Sequence, residues 1–465
     1  MALISLSNIS FSYDAYNIVF DDVSVVFGDN EHVAIVGDNG CGKTTLLKLL
    51  AGQIATDTGR VIINASVYML NQINATDSKS GGEQQMTELA RAFDSGAEIL
   101  LLDEPTNNLD YESKEKFFHK LSCYPFGVVV VSHDRELLQR MDKIIEISNG
   151  KIRVYGGNYD FYVAQKTAEY KNIVSQYADA KKEIARLTDT INVAQNTRAH
   201  HEFKQKKEVD NARRSRIFAN ALKGKSQETE AKKRALIQKK LESQIELQRS
   251  LSAQMRDDKI KIPVPNKPFH SKELVLMSGV CFSYGDRNIF DNFNFTMRGG
   301  ARIRIVGKNG TGKSTLLRLI CGEIQPQFGT IKTVGKIAYL NQDLSVLNKN
   351  KSIVENIMDV SNCLKHDAHA IAANFGFCGD DSLKLVGNLS GGELLKATLA
   401  AILGGTIQPD LLILDEPTNN LEIKSVAILE DALNQYRGAI LLVSHDEMFA
   451  KNIKIDTQIY LGRHA

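Results

Sequence analysis

No two of the six cysteines in this 465-residue chain form a C-x-x-C pair. Scattered cysteines argue against a zinc site and against a disulfide framework, and they favour a reducing, cytoplasmic compartment. No apolar run approaches the roughly 18–20 residues that span a bilayer. The runs from Val128 to Val131 and from Leu411 to Leu414 are far shorter, so no membrane span is expected. The start, Met1-Ala2-Leu3-Ile4-Ser5, lacks a basic segment and a long apolar segment; no signal peptide is expected. Neither sign of charge dominates. A net charge of +2, with 43% hydrophobic and 24% charged residues, is ordinary for a soluble globular protein and names no partner. The length suggests about two to four domains with sizeable cores.

What the chain does have is glycine in a chemical pattern. Gly37-Asp38-Asn39-Gly40-Cys41-Gly42-Lys43-Thr44-Thr45 reads G-x-x-x-x-G-K-T, the phosphate-binding P-loop. Glycines let the backbone wrap a triphosphate so that amide N–H groups point inward. The helix expected from Lys43 adds the positive end of its dipole. Lys43 is placed to reach the β- and γ-phosphates, and the Thr44 hydroxyl to ligate Mg²⁺. Val33 to Val36 before the loop reads as a buried strand, and Leu46 to Leu50 after it as a helix. A glycine turn can also bind nothing. That reading weakens because the motif returns as Gly307-Lys308-Asn309-Gly310-Thr311-Gly312-Lys313-Ser314-Thr315.

The whole neighbourhood is duplicated. Phe11-Ser12-Tyr13 recurs as Phe282-Ser283-Tyr284, and Asn71-Gln72 as Asn341-Gln342. Ser80-Gly81-Gly82-Glu83 recurs as Ser390-Gly391-Gly392-Glu393, and Asp103-Glu104-Pro105-Thr106-Asn107-Asn108-Leu109 as Asp415-Glu416-Pro417-Thr418-Asn419-Asn420-Leu421. Ser132-His133-Asp134 recurs as Ser444-His445-Asp446. The offset is 270 at Lys43 and Gln72 but 312 at Asp103 and His133, so the first copy lacks about 40 residues between Gln72 and Ser80. In each copy a buried strand ends in a carboxylate, Asp103 or Asp415, that can hold Mg²⁺ through water. Glu104 or Glu416 follows, where a general base could polarise water. A second apolar strand delivers His133 or His445 to the same edge, to contact a γ-phosphate. An acidic pair after an apolar run is usually only a strand end, and a lone histidine is usually structural. Here both occur twice, in order, after a P-loop.

These motifs resemble the ATP-binding cassette family, and the S-G-G-E segments resemble its signature. The resemblance covers both copies. It implies an α/β fold: two RecA-like cassettes, each with a small antiparallel β-subdomain and a helical subdomain. It makes Tyr13 and Tyr284 adenine-stacking aromatics, and Gln72 and Gln342 Mg²⁺-contacting. It makes Glu104 and Glu416 catalytic bases, and His133 and His445 switch histidines. It implies ATP and Mg²⁺ as ligands, sandwiched head to tail: the loop of Lys43 facing Ser390, Gly391 and Gly392, and that of Lys313 facing Ser80, Gly81 and Gly82. Two departures stand out. Lys79 precedes the first signature serine where Leu389 precedes the second, and Asp110 becomes Glu422.

From about Tyr162 to Lys261 glycine and proline nearly vanish. Tyr170, Ile173, Tyr177, Ile184, Leu187 and Ile191 recur at coiled-coil spacing, and the pattern resumes at Ile237, Leu241, Ile245 and Leu251. This predicts a long antiparallel α-helical hairpin, closed by Pro263, Pro265 and Pro268. The expected organisation is cassette 1–161 with a shortened helical subdomain, hairpin 162–261 and cassette 262–465. The hairpin tip, 196–225, carries nine Lys or Arg against three acids, a net +6. Phe203 and Phe218 lie among those cations, as for stacking on bases or packing in an RNA crevice. A solvated helix end is the plainer alternative.

Tandem cassettes, no membrane span and a charged helical linker resemble the ABC-F family of translation factors; Glu-Pro-Thr-Asn-Asn-Leu-Asp is close to that family's E-P-T-N-H-L-D. The resemblance implies a cytoplasmic ATPase partnering the ribosome, its RNA and tRNA. Arg213, Arg214 and Arg216 are then RNA-contact candidates. The short first cassette has precedent among antibiotic-resistance members. Intramolecular pairing implies a monomer. The alternative is the paired ATPase subunit of a separate membrane transporter, although the first copy lacks most of the subdomain that docks membrane partners. A DNA-repair ATPase would need a zinc module or a longer coiled coil, so no DNA partner is expected.

Overall fold

The computed structural model describes residues 2–14, 17–71, 81–107, 109–209, 232, 235–252, 260–263, 272–341, 346–419 and 421–462. The first half comprises β1 (Ala2–Ser12), β2 (Ile18–Gly28), β3 (His32–Gly37), α1 (Lys43–Leu50), β4 (Thr58–Ile63), β5 (Val67–Leu70) and α2 (Gly81–Asp94). It continues with β6 (Ile99–Asp103), α3 (Tyr111–Cys123), β7 (Gly127–Val131), α4 (Arg135–Leu138), β8 (Lys143–Ser148) and β9 (Lys151–Gly156). Helix α5 (Tyr159–Val209) follows, then α6 at residues 235–252. The second half repeats the plan with β10 (Glu273–Tyr284), β11 (Arg287–Arg298), β12 (Arg302–Val306), α7 (Lys313–Ile320), β13 (Phe328–Thr333) and β14 (Ile337–Leu340). Helices α8 (Ile353–Ser361), α9 (Lys365–Asn374) and α10 (Gly391–Leu403) come next. The chain ends with β15 (Leu411–Asp415), α11 (Ile423–Gln435), β16 (Ala439–Val443), α12 (Glu447–Asn452) and β17 (Thr457–Tyr460).

Each half is an α/β cassette built from two sheets. A three-stranded antiparallel sheet has order β2-β1-β4 in the first and β11-β10-β13 in the second. The main sheets run β5-β6-β7-β3-β8-β9 and β14-β15-β16-β12-β17. They are parallel throughout except for the β8–β9 hairpin. A parallel sheet needs both faces covered, so its strands are apolar without interruption. Alternation then sorts each strand between two cores. Val33, Ile35, Leu101, Val129 and Val131 pack toward the antiparallel sheet and α1. Ala34, Val36, Leu100, Leu102, Val128 and Val130 pack toward α2, α3 and α4. Truncating one of these, such as Ile35→Ala, is expected to cost about 2–5 kcal/mol. Parallel order also sends every β-to-α connection to one carboxyl edge, where ligands of such folds bind.

The cassettes differ in helical cover. Between β14 and α10 the second carries α8 and α9; α8 begins with a capping box between Ser352 and Glu355. In the first, β5 ends at Leu70 and α2 already begins at Gly81. No room exists there for such a pair. Residues 260–263 lie along the second cassette: Gln435 bonds both Ile260 and Ile262, and Gln408 donates to the Pro263 carbonyl at 2.9 Å.

Contacts divide the chain into one unit holding both cassettes, 1–162 and 258–465, and a second at 163–257. Within the latter, Ile173, Tyr177, Ala180, Ile184, Leu187 and Ile191 form the covered stripe of α5, at alternating spacings of four and three. Tyr170 does not belong to it, being 43% exposed. Ala180 takes a seam position instead, and a short side chain gives a weak periodic signal. Lys240 of α6 lies 3.5 Å from Glu183 of α5, so the two helices meet.

Candidate functional site

Strand β3 stops at Gly37 and the loop to α1 turns through glycines. Gly40 and Gly42 have φ of 77° and 102°; Gly310 and Gly312 have 78° and 97°. Positive φ favours glycine. A Cβ on Gly42 would also stand 2.5 Å from Val19 Cγ1, and one on Gly312 would stand 2.4 Å from Ile289 Cγ2. Lys43 Nζ donates to the carbonyls of Gly37 at 2.8 Å and Asp38 at 3.1 Å. Lys313 repeats this with Gly307 at 2.6 Å and Lys308 at 3.2 Å. Each ammonium is therefore held inside the curl of its own loop. Thr45, like Thr315, is buried at the start of its helix. Tyr13 donates or accepts a 2.9 Å bond with Thr45, and its ring meets Phe11 edge-on. Tyr13 and Tyr284 stay 59% and 45% exposed, leaving ring faces open.

Strands β6 and β7 bring the acids and the histidine to the same edge. The Thr44 hydroxyl donates to Asp103 Oδ2 at 2.7 Å, and Ser314 bonds Asp415 likewise. The second carboxylate also accepts from Tyr339 at 3.1 Å. Glu104 and Glu416 follow with φ of 48° and 45°, a conformation costing a non-glycine residue about 1–3 kcal/mol. It is held by the bond from Glu104 N to the Val131 carbonyl and its copy from Glu416 to Val443, both 2.8 Å. His133 Nε2 lies 3.8 Å from Glu104 Oε1, and His445 Nε2 lies 3.4 Å from Glu416 Oε1. Burial, reinforced by Asp103, pushes the Glu104 carboxyl up to about 8, and burial pushes Glu416 up to about 7. Burial and then the neighbouring lysine push His133 down to about 4 and His445 to about 3. Both histidines are thus neutral at pH 7.

These residues fit a Mg²⁺-nucleoside triphosphate. The two ring nitrogens of His133 are buried without a hydrogen-bond partner, beside a lysine and a glycine loop. Hydroxyl and carboxylate oxygens are the hard donors that Mg²⁺ takes, and one or two carboxylates suffice when phosphates supply the rest. Among the described residues no cluster of three or more His, Cys, Asp or Glu could hold a metal.

Contacts from the opposite cassette complete both loops. Glu422 accepts from Asn39 N at 2.7 Å, and Lys424 pairs with Asp38 at 2.7 Å. At the second loop Asp110 accepts from Asn309 N at 3.4 Å, and Glu112 pairs with Lys308. A cavity of about 940 Å³ lies between the second P-loop and the first cassette, lined by Lys308, Asn309, Gly310 and Thr311 on one side and Gly82 and Met86 on the other. A cavity of about 510 Å³ joins Tyr13, Lys43, Thr44, Asp103, Glu104 and His133. Sequence reasoning missed Glu112, Lys424, Arg135 and Glu430 as cross-cassette partners. One signal was available: repeat-related positions carry opposite charges, Asp38 against Lys308 and Glu112 against Lys424.

The carboxyl edge gathers Gly37–Thr45 with Asp103, Glu104 and His133, and Gly307–Thr315 with Asp415, Glu416 and His445. Ser390 caps α10 in a capping box with Glu393, ahead of Gly391 and Gly392. Gln72, Ser80, Gln342, Arg213, Arg214, Arg216, Phe218, Pro265 and Pro268 lie outside the described residues, as do the surroundings of Gly81 and the side chain of Phe203.

An ABC transporter family model matches residues 20–76, 67–107 and 290–419, and a second model of the same description matches 145–256. The chain is 31% identical over 453 residues to the erythromycin resistance ATP-binding protein MsrA of Staphylococcus epidermidis, covering 91% of this chain and 90% of that one. It is 28% identical over 477 residues to the ribosome protection protein VmlR of Bacillus subtilis, covering 96% and 84%. The crystallised archaeal ribosome recycling factor aABCE1 shares the fold, with a TM-score of 0.58 at 18% identity over 97% of this chain and 87% of that one. Among the described residues no helix is long and apolar enough to cross a membrane.

Proposed function

The chain belongs to the ABC-F family of tandem ATP-binding cassette proteins, and we propose that it is a Mg²⁺-dependent ATPase whose ATP-bound form acts on the ribosome. The observation that carries the ATPase reading is the carboxyl edge built twice, each P-loop touched by the other cassette. Lys43 and Lys313, with the loop amides, hold the phosphates. Thr44 with Asp103, and Ser314 with Asp415, hold Mg²⁺, together with Gln72 and Gln342. Bound Mg²⁺-ATP supplies the scissile phosphoanhydride and a metal that offsets its charge. Glu104 and Glu416 orient water and, in their ionised form, take its proton. The neutral rings of His133 and His445 hydrogen-bond rather than contribute charge. Tyr13 and Tyr284 offer faces to adenine. Ser80, Gly81 and Gly82 close one site, and Ser390, Gly391 and Gly392 the other.

The ribosome reading is supported by the similarity to the ribosome protection protein VmlR and by the +6 segment at 196–225. Arg213, Arg214 and Arg216 contact ribosomal RNA or tRNA through phosphates, and the protein works as a cytoplasmic monomer with its helices 162–261 as an antiparallel hairpin. Protection of the ribosome from antibiotics is a second, narrower reading. It is favoured by the short path from Leu70 to Gly81, by the erythromycin resistance for which MsrA is named and by the ribosome protection for which VmlR is named. That same short path, with no room for helices like α8 and α9, speaks against a paired transporter subunit. The test is co-sedimentation of the Glu104→Gln/Glu416→Gln protein with ribosomes. ATP-dependent pelleting is expected; equal pelleting with and without ATP, or none, would sink the ribosome reading.

A further inference from the structure

The two switch segments are wired to different partners. After His133, Asp134 caps α4 by accepting from Glu136 N and Leu137 N, and it pairs with Lys114 of α3 at 2.8 Å. The next residue, Arg135, reaches out of its cassette to Glu430 of α11 at 2.6 Å. Those side chains are only 7% and 13% exposed, and Glu430 also accepts from Asn452 at 3.0 Å. Glu430 sits on the helix that starts beside the first P-loop, where Glu422 and Lys424 bond Asn39 and Asp38. One helix of the second cassette therefore touches both the phosphate loop and the switch segment of the first.

The repeat supplies no counterpart. Glu447 stands where the first copy has Arg135, Phe118 where the second has Glu430, and Val426 where the first has Lys114. Phe118 and Val426 are buried apolar residues. Glu447, about half exposed, pairs within its own cassette with the buried Arg304 at 3.0 Å, and Arg304 also donates to the Ser444 carbonyl at 3.0 Å. Arg304 lies on β12, the strand that feeds the second P-loop, at the position of Ala34 in the first copy. The second switch segment is thus tied to its own phosphate strand, and the first to the other cassette.

We propose that Arg135 is a positioning residue that makes hydrolysis at the Lys43 site conditional on the seating of α11, while the Lys313 site carries no such condition. The inference rests on the two-site ATPase reading above. A buried pair of this kind loses much when one partner is removed, because the other charge stays buried. A small displacement of the segment bearing His133 is enough to slow chemistry without abolishing binding.

The experiment reads each site alone. Glu416→Gln leaves only the Lys43 site active, and Glu104→Gln only the Lys313 site. Arg135→Gln and Glu430→Gln are placed separately in each background, and kcat and KM for ATP are measured. Both should lower kcat at the Lys43 site by about ten- to a hundredfold, in line with small misplacements near chemistry. KM there, and both constants at the Lys313 site, should stay within about threefold of the parent background, less than a displaced catalytic group costs. The exchanged pair Arg135→Glu/Glu430→Arg should recover part of the lost kcat. Equal slowing at both sites, or no slowing at the Lys43 site, overturns the inference. A Glu104→Gln/Glu416→Gln protein that still hydrolyses ATP overturns the two-site reading instead.

Discussion

Helices α2 and α10 open with the same Ser-Gly-Gly-Glu segment and then part company. In α10, Leu395, Ala397, Leu399, Ala400, Ala401 and Leu403 are buried, most of them beneath α8 and α9. In α2 the corresponding stretch reads Gln85, Thr87, Leu89, Ala90, Arg91 and Phe93. Gln85 is buried but bonds the Pro105 carbonyl, and Arg91 is exposed beside Glu88. The first cassette has no room for that helical cover, and its helix is more polar where the cover would lie. The carboxyl edge did not drift in this way. Glycine φ values, the folded-back lysine, the strained glutamate and the hydroxyl–carboxylate bond agree closely between copies. Chemistry constrains that edge twice over, whereas support is free to vary so long as each core closes.

The largest expected effect tests what the copies share. Glu104→Gln with Glu416→Gln should cut ATP hydrolysis by about 10²–10⁴-fold while nucleotide still binds, since the amide keeps the shape and loses the base. Steady-state phosphate release measures it. Either single variant should keep a substantial rate from the other site.

The next effect tests a difference. Lys114 holds the Asp134 carboxyl below its ordinary range against the opposing pull of burial, whereas burial pushes Asp446 up, with Val426 in the lysine's place. A depressed carboxyl contributes stability that is present above its unfolded pKa and lost as pH falls through its folded value. A raised one contributes stability below its unfolded pKa that is lost as pH rises through the folded value. Lys114→Met should therefore cost about 3–5 kcal/mol at neutral pH, shrinking in acid. Asp446→Asn, which can still cap α12, should cost little at neutral pH. Thermal melts across pH decide it; a pH-independent loss for Lys114→Met would contradict the pairing.

Smaller effects follow at the loops and rim. Gly42→Ala and Gly312→Ala should each cost about 1–3 kcal/mol through backbone strain, with matched losses of ATP affinity; a tolerated alanine at only one would break the equivalence of the loops. At the rim, Lys424→Glu sets a carboxylate against Asp38, and Glu112→Lys sets an ammonium against Lys308. Exposed pairs are worth about 0.2–1 kcal/mol, so each change should raise the ATP concentration for half-occlusion about two- to fivefold. Adding the reciprocal reversals Asp38→Lys and Lys308→Glu should reverse that rise.

Legibility followed the same division. The strands bearing Asp103 and His133, the loops around Lys43 and Lys313 and the missing segment after Gln72 could be read directly, because continuous apolar runs, glycine spacing and repeat offsets are local signals. The Arg135–Glu430 pair could not, because its residues are 295 apart and neither belongs to a motif. Nor could the placement of Arg304, a cation inside an otherwise apolar strand, whose partners Ser444 and Glu447 come from another segment. The coiled-coil stripe was legible except at Tyr170 and Ala180, where size and burial disagree.

The central claim is that one chain carries two complete ATP sites. The direct measurement is nucleotide stoichiometry: equilibrium dialysis of the Glu104→Gln/Glu416→Gln protein against Mg²⁺-ATP, with chain mass recorded at saturation. Two nucleotides per chain, bound by a monomer, are expected. A single nucleotide per chain, or two reached only in a dimer, would contradict it.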